Sequence, residues 1–236
     1  MEKTKNTTDN MTLFRTPFSK AYWRTALGEM KNTRSLIFAA LMIALRVALK
    51  SVSIPIAADL RLGVGFFVNA LGSMVYGPVV AILGAMVSDT LGALLFPSGP
   101  YFFPFILTEI AGSLIFALFL YRTEITSMKV IMSRFCIDFF VNIVLQTPIM
   151  MAYYQIMLGK SYKIFSLPRI VKNLVMFPIE SVLLIFFLRL AIPPLTQQHM
   201  IHTGAQKLTF NKKNITILAI FTVIGIAAVV LYATTK

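Results

Sequence analysis

The run from Arg61 to Pro104, RLGVGFFVNALGSMVYGPVVAILGAMVSDTLGALLFPSGPYFFP, limits the fold more than any other stretch of the chain. It is apolar for long enough to cross a bilayer twice, and after Arg61 its only charged residue is Asp89. Gly63, Gly65, Gly72, Gly77, Gly84 and Gly92 are spread along it. Two short membrane helices hinged at Gly77-Pro78 account for the pattern, because small residues let helix backbones approach closely in lipid. Asp59 and Arg61 make a polar entrance before the pair, and Pro97 to Pro100 make a loop after it. Polar groups at both mouths point to a binding cavity that opens to one side.

The rest of the chain agrees with a membrane setting. Of 236 residues, 57% are hydrophobic and 13% charged, and the mean hydropathy is +0.78. A water-soluble domain cannot hide that much apolar surface, so the chain reads as an integral membrane protein. The net charge of +13 invites a nucleic-acid reading. However, the Lys and Arg residues flank apolar spans, where topology signals belong, and no basic stripe is interleaved with stacking aromatics. Nucleic acid is therefore not an expected partner. The lone Cys136 excludes an intramolecular disulfide and reads as an inert thiol in an apolar segment. The first thirty or so residues are polar and lack the apolar core of a cleavable signal peptide.

Residues 1–12 are expected to be disordered. From Pro17 to Met30 the residues Phe18, Tyr22, Trp23, Leu27 and Met30 recur at helical spacing, flanked by Arg15, Lys20, Arg24 and Lys31. This predicts an amphipathic helix lying on the inner membrane surface, within an N-terminal tail over 1–33. A first span follows from about Arg34 to Lys50. Its Ala40, Ala44 and Ala48 share one smooth face on which another helix can lie close. The opening stretch supplies the second and third spans. The fourth runs from Tyr101 to about Tyr121, and the fifth from about Val130 to Leu158, where Pro148 should kink it. The sixth runs from about Ile170 to Ile192 and is expected to stop at Pro193-Pro194. A six-helix unit is thus expected over 34–192. A basic linker over 193–214 and an additional span over 215–233 complete an all-α polytopic membrane protein.

Orientation follows from the basic residues. With the N-terminus in the cytoplasm, fourteen fall on the inner side and seven on the outer, Arg46 lying within a span. Seven spans then put the C-terminus outside. The outer basics beside the first and fifth loops, among them Arg61, Lys160, Arg169 and Lys172, are not explained by topology.

Asp89, Glu109, Asp138, Glu180 and Arg46 lie inside apolar spans. A charge at mid-membrane costs about 2.5–3.5 kcal/mol on insertion scales, so each should face protein or water. Asp138 has Arg134 at i−4 and reads as a structural pair. Asp89 reads as a tie between helices. Arg46 and Lys50, one turn apart, either snorkel to the outer surface or face the protein. Glu109 follows Phe102, Phe103 and Phe105 and stands equally for a ligand contact and a structural one. Asn142 and Gln146 share a face just before Pro148. No Walker A motif, no metal-ligand cluster and no acyl-transfer or redox constellation is present, so neither catalysis nor a cofactor is expected. His199 and His202 sit apart in the linker. Such a chain reads as a binder or carrier whose engine is elsewhere.

The Arg61–Pro104 run resembles the second and third helices and third loop of the substrate-binding S components of energy-coupling factor (ECF) transporters, most of all their folate family. The first-helix alanines resemble that family's docking face for the transmembrane coupling subunit. The run MLGKSYKIFSLPRIVKNLVMFPIESVLL, with Gly159-Lys160 and Pro168-Arg169-Ile170, is similar to its fifth loop and sixth helix. The resemblance spans about residues 34–192. It implies a bacterial cell-membrane protein that captures a vitamin, folate or a reduced folate, outside the cell and delivers it inward with a coupling subunit and two ATPases. On this reading Arg61, Lys160, Arg169 and Lys172 meet carboxylates, and Phe66, Phe102 and Phe103 cover a flat ring. Asn69, Glu109, Gln146 and Asn173 complete the expected site. Two alternatives stay open: another vitamin or a modified base, with Glu109 against an amine, or a membrane scaffold without a ligand.

Overall fold

The computed structural model describes residues 13–50, 52–57, 60–97, 100–162, 167–201 and 208–234. The expected disordered tail, Asp59, Ser98 and Gly99 of the third loop, Lys163, His202, and the side chain of Arg61 lie outside the described residues.

Ser19 caps the first helix, its hydroxyl accepting the Tyr22 amide at 3.2 Å. This helix, α1 (Lys20–Gly28), passes through a 3-10 turn (Glu29–Lys31) into α2 (Thr33–Leu49). The two directions differ by 81°. That right angle is what an in-plane helix feeding a spanning helix requires. Tyr22 and Ala26 are fully buried and the Tyr22 hydroxyl donates to the Ala117 carbonyl at 3.0 Å, so α1 is held against the bundle. Glu29 fastens the corner: its carboxylate accepts from Tyr121 and Arg122, each at 2.9 Å. Burial, and then the Glu29 charge beside it, hold the Tyr121 hydroxyl well above its ordinary range, so it remains a donor.

After α2 comes a hairpin that the all-helical expectation did not contain, β1 (Ser53–Ala57) against β2 (Leu60–Gly63), antiparallel. The helix α3 (Gly65–Leu95) is two helices joined at a break. Gly77 has φ +75°, a region that side chains with a Cβ avoid, and Pro78 begins the second half, where its missing N–H costs nothing. The hinge expected at Gly77-Pro78 is therefore present. The chain doubles back there, so that Asn69 of the first half and Asp89 of the second line the same cavity.

A 3-10 turn (Phe103–Phe105) leads into α4 (Ile106–Leu120), which packs most extensively on α3. The fifth span is α5 (Ser127–Cys136), a π-helical stretch (Ile137–Leu145) and α6 (Gln146–Leu158). The disturbance expected at Pro148 takes the form of widened turns just before it. Thr147 donates to the Ile143 carbonyl at 2.6 Å, one of the groups such a distortion frees. The helix α7 runs Leu167–Gln197, through Pro193 and Pro194. The expected stop at Pro193-Pro194 is corrected. Proline removes a donor but keeps a helical φ, and the last turn is held by Thr196 donating to the Ile192 carbonyl at 3.0 Å.

The last helix, α8 (Lys212–Thr234), lies antiparallel on α7. Phe221 meets Phe177 at 4.8 Å between ring centroids, while Gly225, one turn further on, sits beside Leu174 and Val175. By length and composition five helices suit a membrane crossing among the described residues, and the bent pair of α1 and α2 makes a sixth, with α3 counted once although it doubles back at Gly77. The chain is a multi-pass membrane protein with an almost entirely helical fold.

Candidate ligand cavity

A cavity of about 740 Å³ opens between α2, α3, α4, the fifth span and α7. That volume falls in the usual ~300–1,000 Å³ range for small-molecule sites. Its lining is ionic to a degree that lipid would not tolerate: Arg46, Lys50, Arg134, Arg169 and Lys172, with Asp89, Glu109, Asp138 and Glu180.

Most of these charges satisfy one another. Arg46, from the last turn of α2, donates to Glu109 Oε2 at 2.6 Å and to Asn69 Oδ1 and Ser113 Oγ, each at 3.3 Å. Ser73 and Ser113 also donate to Asn69 Oδ1, so that oxygen has no capacity left. Lys50 bonds Asp89 Oδ1 at 2.8 Å and thereby ties α2 to the second half of α3. Both basic residues thus face protein. Arg134 bridges two acids, Asp138 at 2.9 Å one turn along its own helix and Glu180 on α7. Its guanidinium carbon also lies 5.0 Å from the centroid of the Phe66 ring. Asn142 donates to Asp138 Oδ1 at 3.1 Å and to Asn173 Oδ1 at 3.2 Å, while Asn173 donates to the Arg169 carbonyl at 3.0 Å. A continuous polar network therefore runs from the start of α7 to the Arg134 pair.

Two cations have no acidic partner among the described residues. Arg169 donates to the hydroxyls of Thr147 at 3.4 Å and Tyr162 at 2.5 Å and stacks over the Tyr162 ring. Lys172, three residues on, is exposed at the cavity. These neutral contacts position Arg169 without spending its charge, and its planar fork suits a carboxylate.

The residues picked from the sequence divide into three groups. Phe66, Asn69, Glu109, Gln146, Arg169 and Asn173 line the cavity. Phe102 is buried against Phe105 and Tyr153, Phe103 points outward at 64% exposure, and Lys160 is exposed beyond the end of α6; none of these three lines it. The Arg61 side chain lies outside the described residues. Lys172, expected to meet a carboxylate, lines it too, and Lys50, Asp89, Arg134, Asp138 and Glu180 also line the cavity without having been expected as ligand contacts. Charge within or beside an apolar span was their signal; Asp138 with Arg134 read as a structural pair and Asp89 as a tie between helices.

A multi-pass helical bundle whose cavity is lined by interlocked charges, beside two cations without an acidic partner among the described residues, defines a membrane-embedded binding protein. Residues 30–185 match the family model described as ECF-type riboflavin transporter, S component, and the chain belongs to the S components of ECF-type transporters. The chain is 32% identical to a folate transporter FolT of Clostridium novyi over 66% of its own length and 88% of that protein's. It is 28% identical to a FolT of Leuconostoc mesenteroides over 66% and 85% of the respective lengths. A crystal structure of FolT bound with folic acid superposes with a TM-score of 0.54 at 28% identity, covering 64% of this chain and 88% of that one. The matched family region ends before α8 begins.

Proposed function

We propose that this chain captures folate or a reduced folate on the outer side of the bacterial cell membrane. It then delivers the vitamin inward together with an ECF coupling subunit and two ATPases. The observation that carries the reading is the pair Arg169 and Lys172, two cations at the cavity without acidic partners among the described residues. Folate presents two carboxylates on its glutamate, and two positive charges match them. The likeness to FolT proteins supports the same cargo. Phe66, Asn69, Glu109, Gln146, Arg169 and Asn173 form the contact set, with Arg169 the anion clamp.

The orientation has the N-terminus in the cytoplasm. The α1 corner lies at the Tyr121 end of α4, and the cavity reaches Thr108 and Glu109 at the other end of that helix. The basic α1 segment then meets the inner surface and the cavity faces out. The unit over 34–192 binds the ligand, and α8 ends on the outer side.

Calorimetric titration of the purified protein with 5-formyltetrahydrofolate and with riboflavin tests the cargo. Heat from the folate, and a ten- to hundredfold weaker Kd in Arg169→Ala, are expected from the loss of a charge-assisted bond of about 1.5–3 kcal/mol. The name of the matched family model favours riboflavin as the second reading. Riboflavin carries no carboxylate, so its binding should be indifferent to Arg169. Heat from riboflavin alone, unchanged in Arg169→Ala, would move the assignment.

A further inference from the structure

The charges lining the cavity do not balance locally. Arg46 offsets Glu109 and Lys50 offsets Asp89, each one to one. Arg134 alone serves both Asp138 and Glu180. That leaves two positive charges at the start of α7 and one negative charge around Arg134. The two sites are far apart, since Glu180 lies eleven residues beyond Arg169, about 16 Å at helical rise. The Arg134 site is also the enclosed one. Arg134 and Asp138 are 4% and 5% exposed, while Lys172 is open to solvent.

Asp138 spends one oxygen on Arg134 and Asn142, and its Oδ2 is buried without a partner. An unpaired buried carboxylate oxygen is costly, and a donor brought by a ligand would relieve it. We infer that Asp138 and Glu180 form an acidic recognition edge for adjacent N–H donors of a flat heterocycle, so that the ligand lies ring inward and anion outward. This deepens the folate reading and rests on it. A pterin presents a ring N–H and an exocyclic amino group side by side, two parallel donors that one carboxylate accepts together. A flavin presents one N–H between two carbonyls and would set a carbonyl oxygen against the acid. Phe66, packed on the Arg134 guanidinium, supplies a flat apolar wall next to that edge. Asp138 and Glu180 are then the residues that discriminate pterins from flavins, whereas Arg169 and Lys172 read only the anionic tail.

The test uses the full-length protein in detergent, titrated with folic acid and, separately, with free pterin and free lumazine. Lumazine differs from pterin in replacing the amino group with a carbonyl. Pterin should bind at least tenfold more tightly than lumazine. Asp138→Asn and Glu180→Gln should each weaken folic acid ten- to hundredfold and shrink the pterin preference. Arg169→Ala should weaken folic acid while leaving the pterin-to-lumazine ratio unchanged. Equal affinity for pterin and lumazine in the wild type overturns the acidic edge, even if the acid variants do not fold. A wild-type protein that ignores folic acid yet prefers pterin to lumazine removes folate as cargo and upholds the edge. Binding of neither ring overturns it.

Discussion

Gly77 makes the reversal of α3 possible at the cost of a single residue. Its φ of +75° is strained for any side chain with a Cβ, and a Cβ there would stand 2.8 Å from the Tyr121 ring. Tyr121 cannot yield easily, because its hydroxyl is bonded to Glu29 and its ring packs on Tyr22. Gly77→Ala should therefore destabilise the fold by about 1–3 kcal/mol. Thermal unfolding in detergent should show this as a lowered midpoint, and an unchanged midpoint would mean that the hinge relaxes freely. The hinge was legible in the sequence because glycine and proline state their backbone preferences locally. The Arg134–Asp138 pair was legible for the same reason, since four residues on a helix is one turn. The partners of Arg46, Lys50 and Glu180 were not, because each lies on a helix distant in sequence and only the packing brings them together. The same limit explains Phe102 and Phe103. Aromatic residues beside a loop announce contact with something, and spacing does not say whether it is a ligand, a neighbouring ring or lipid.

At the scale of elements, α8 is the addition that lies beyond the matched family region. Its aliphatic pattern made it legible as a span, yet nothing in that pattern said where it would pack. The structure sets Phe221 in a cluster with Phe135 and Phe177, on the reverse of helices that present Arg134 and Met176 to the cavity. Gly225 is the closest approach: a Cβ there would lie 3.3 Å from the Leu174 carbonyl and 3.4 Å from Val175 Cα. Backbone atoms cannot swing aside as a side chain does. Gly225→Leu should lever α8 away from α7 next to Asn173, loosening the network that links Asn142, Asn173 and Arg169. A several-fold weaker ligand affinity together with a lowered unfolding midpoint is expected. A lowered midpoint with full affinity would show that α8 adds stability only. The path of α7 through Pro193-Pro194 was not legible for a related reason. Two prolines signal a stop in isolation, while Ile192, fully buried, and the Thr196 bond carry the helix onward.

For the whole molecule, the distribution of small and exposed residues assigns the faces of the bundle. The α5–α7 side is occupied by α8, and the cavity takes up the interior between α2, α4 and α7. The outer face of α2 is exposed at Ala40, Ala44 and Ala48, flanked by Ile37 at 66% and Leu41 at 60% exposure. Such a face can be either a lipid boundary or a seat for another helix, and the two differ in their tolerance of bulk. Lipid tails accommodate an indole on a helix surface, whereas a helix packed at the close distance that alanine allows does not. Neither Ala40 nor Ala44 lines the cavity; from α2 that lining comes from Arg46 and Leu49. The double substitution Ala40→Trp and Ala44→Trp should therefore leave the ligand affinity of the purified protein within about twofold of the wild type. If this face is the dock, uptake in cells that also produce the coupling subunit and ATPases should fall to background, because the cavity is lined from the other side of the same helix. Normal uptake in that variant would place the dock on another face. The second half of α3, exposed at Leu83, Val87, Leu91 and Leu94, is the next surface to vary.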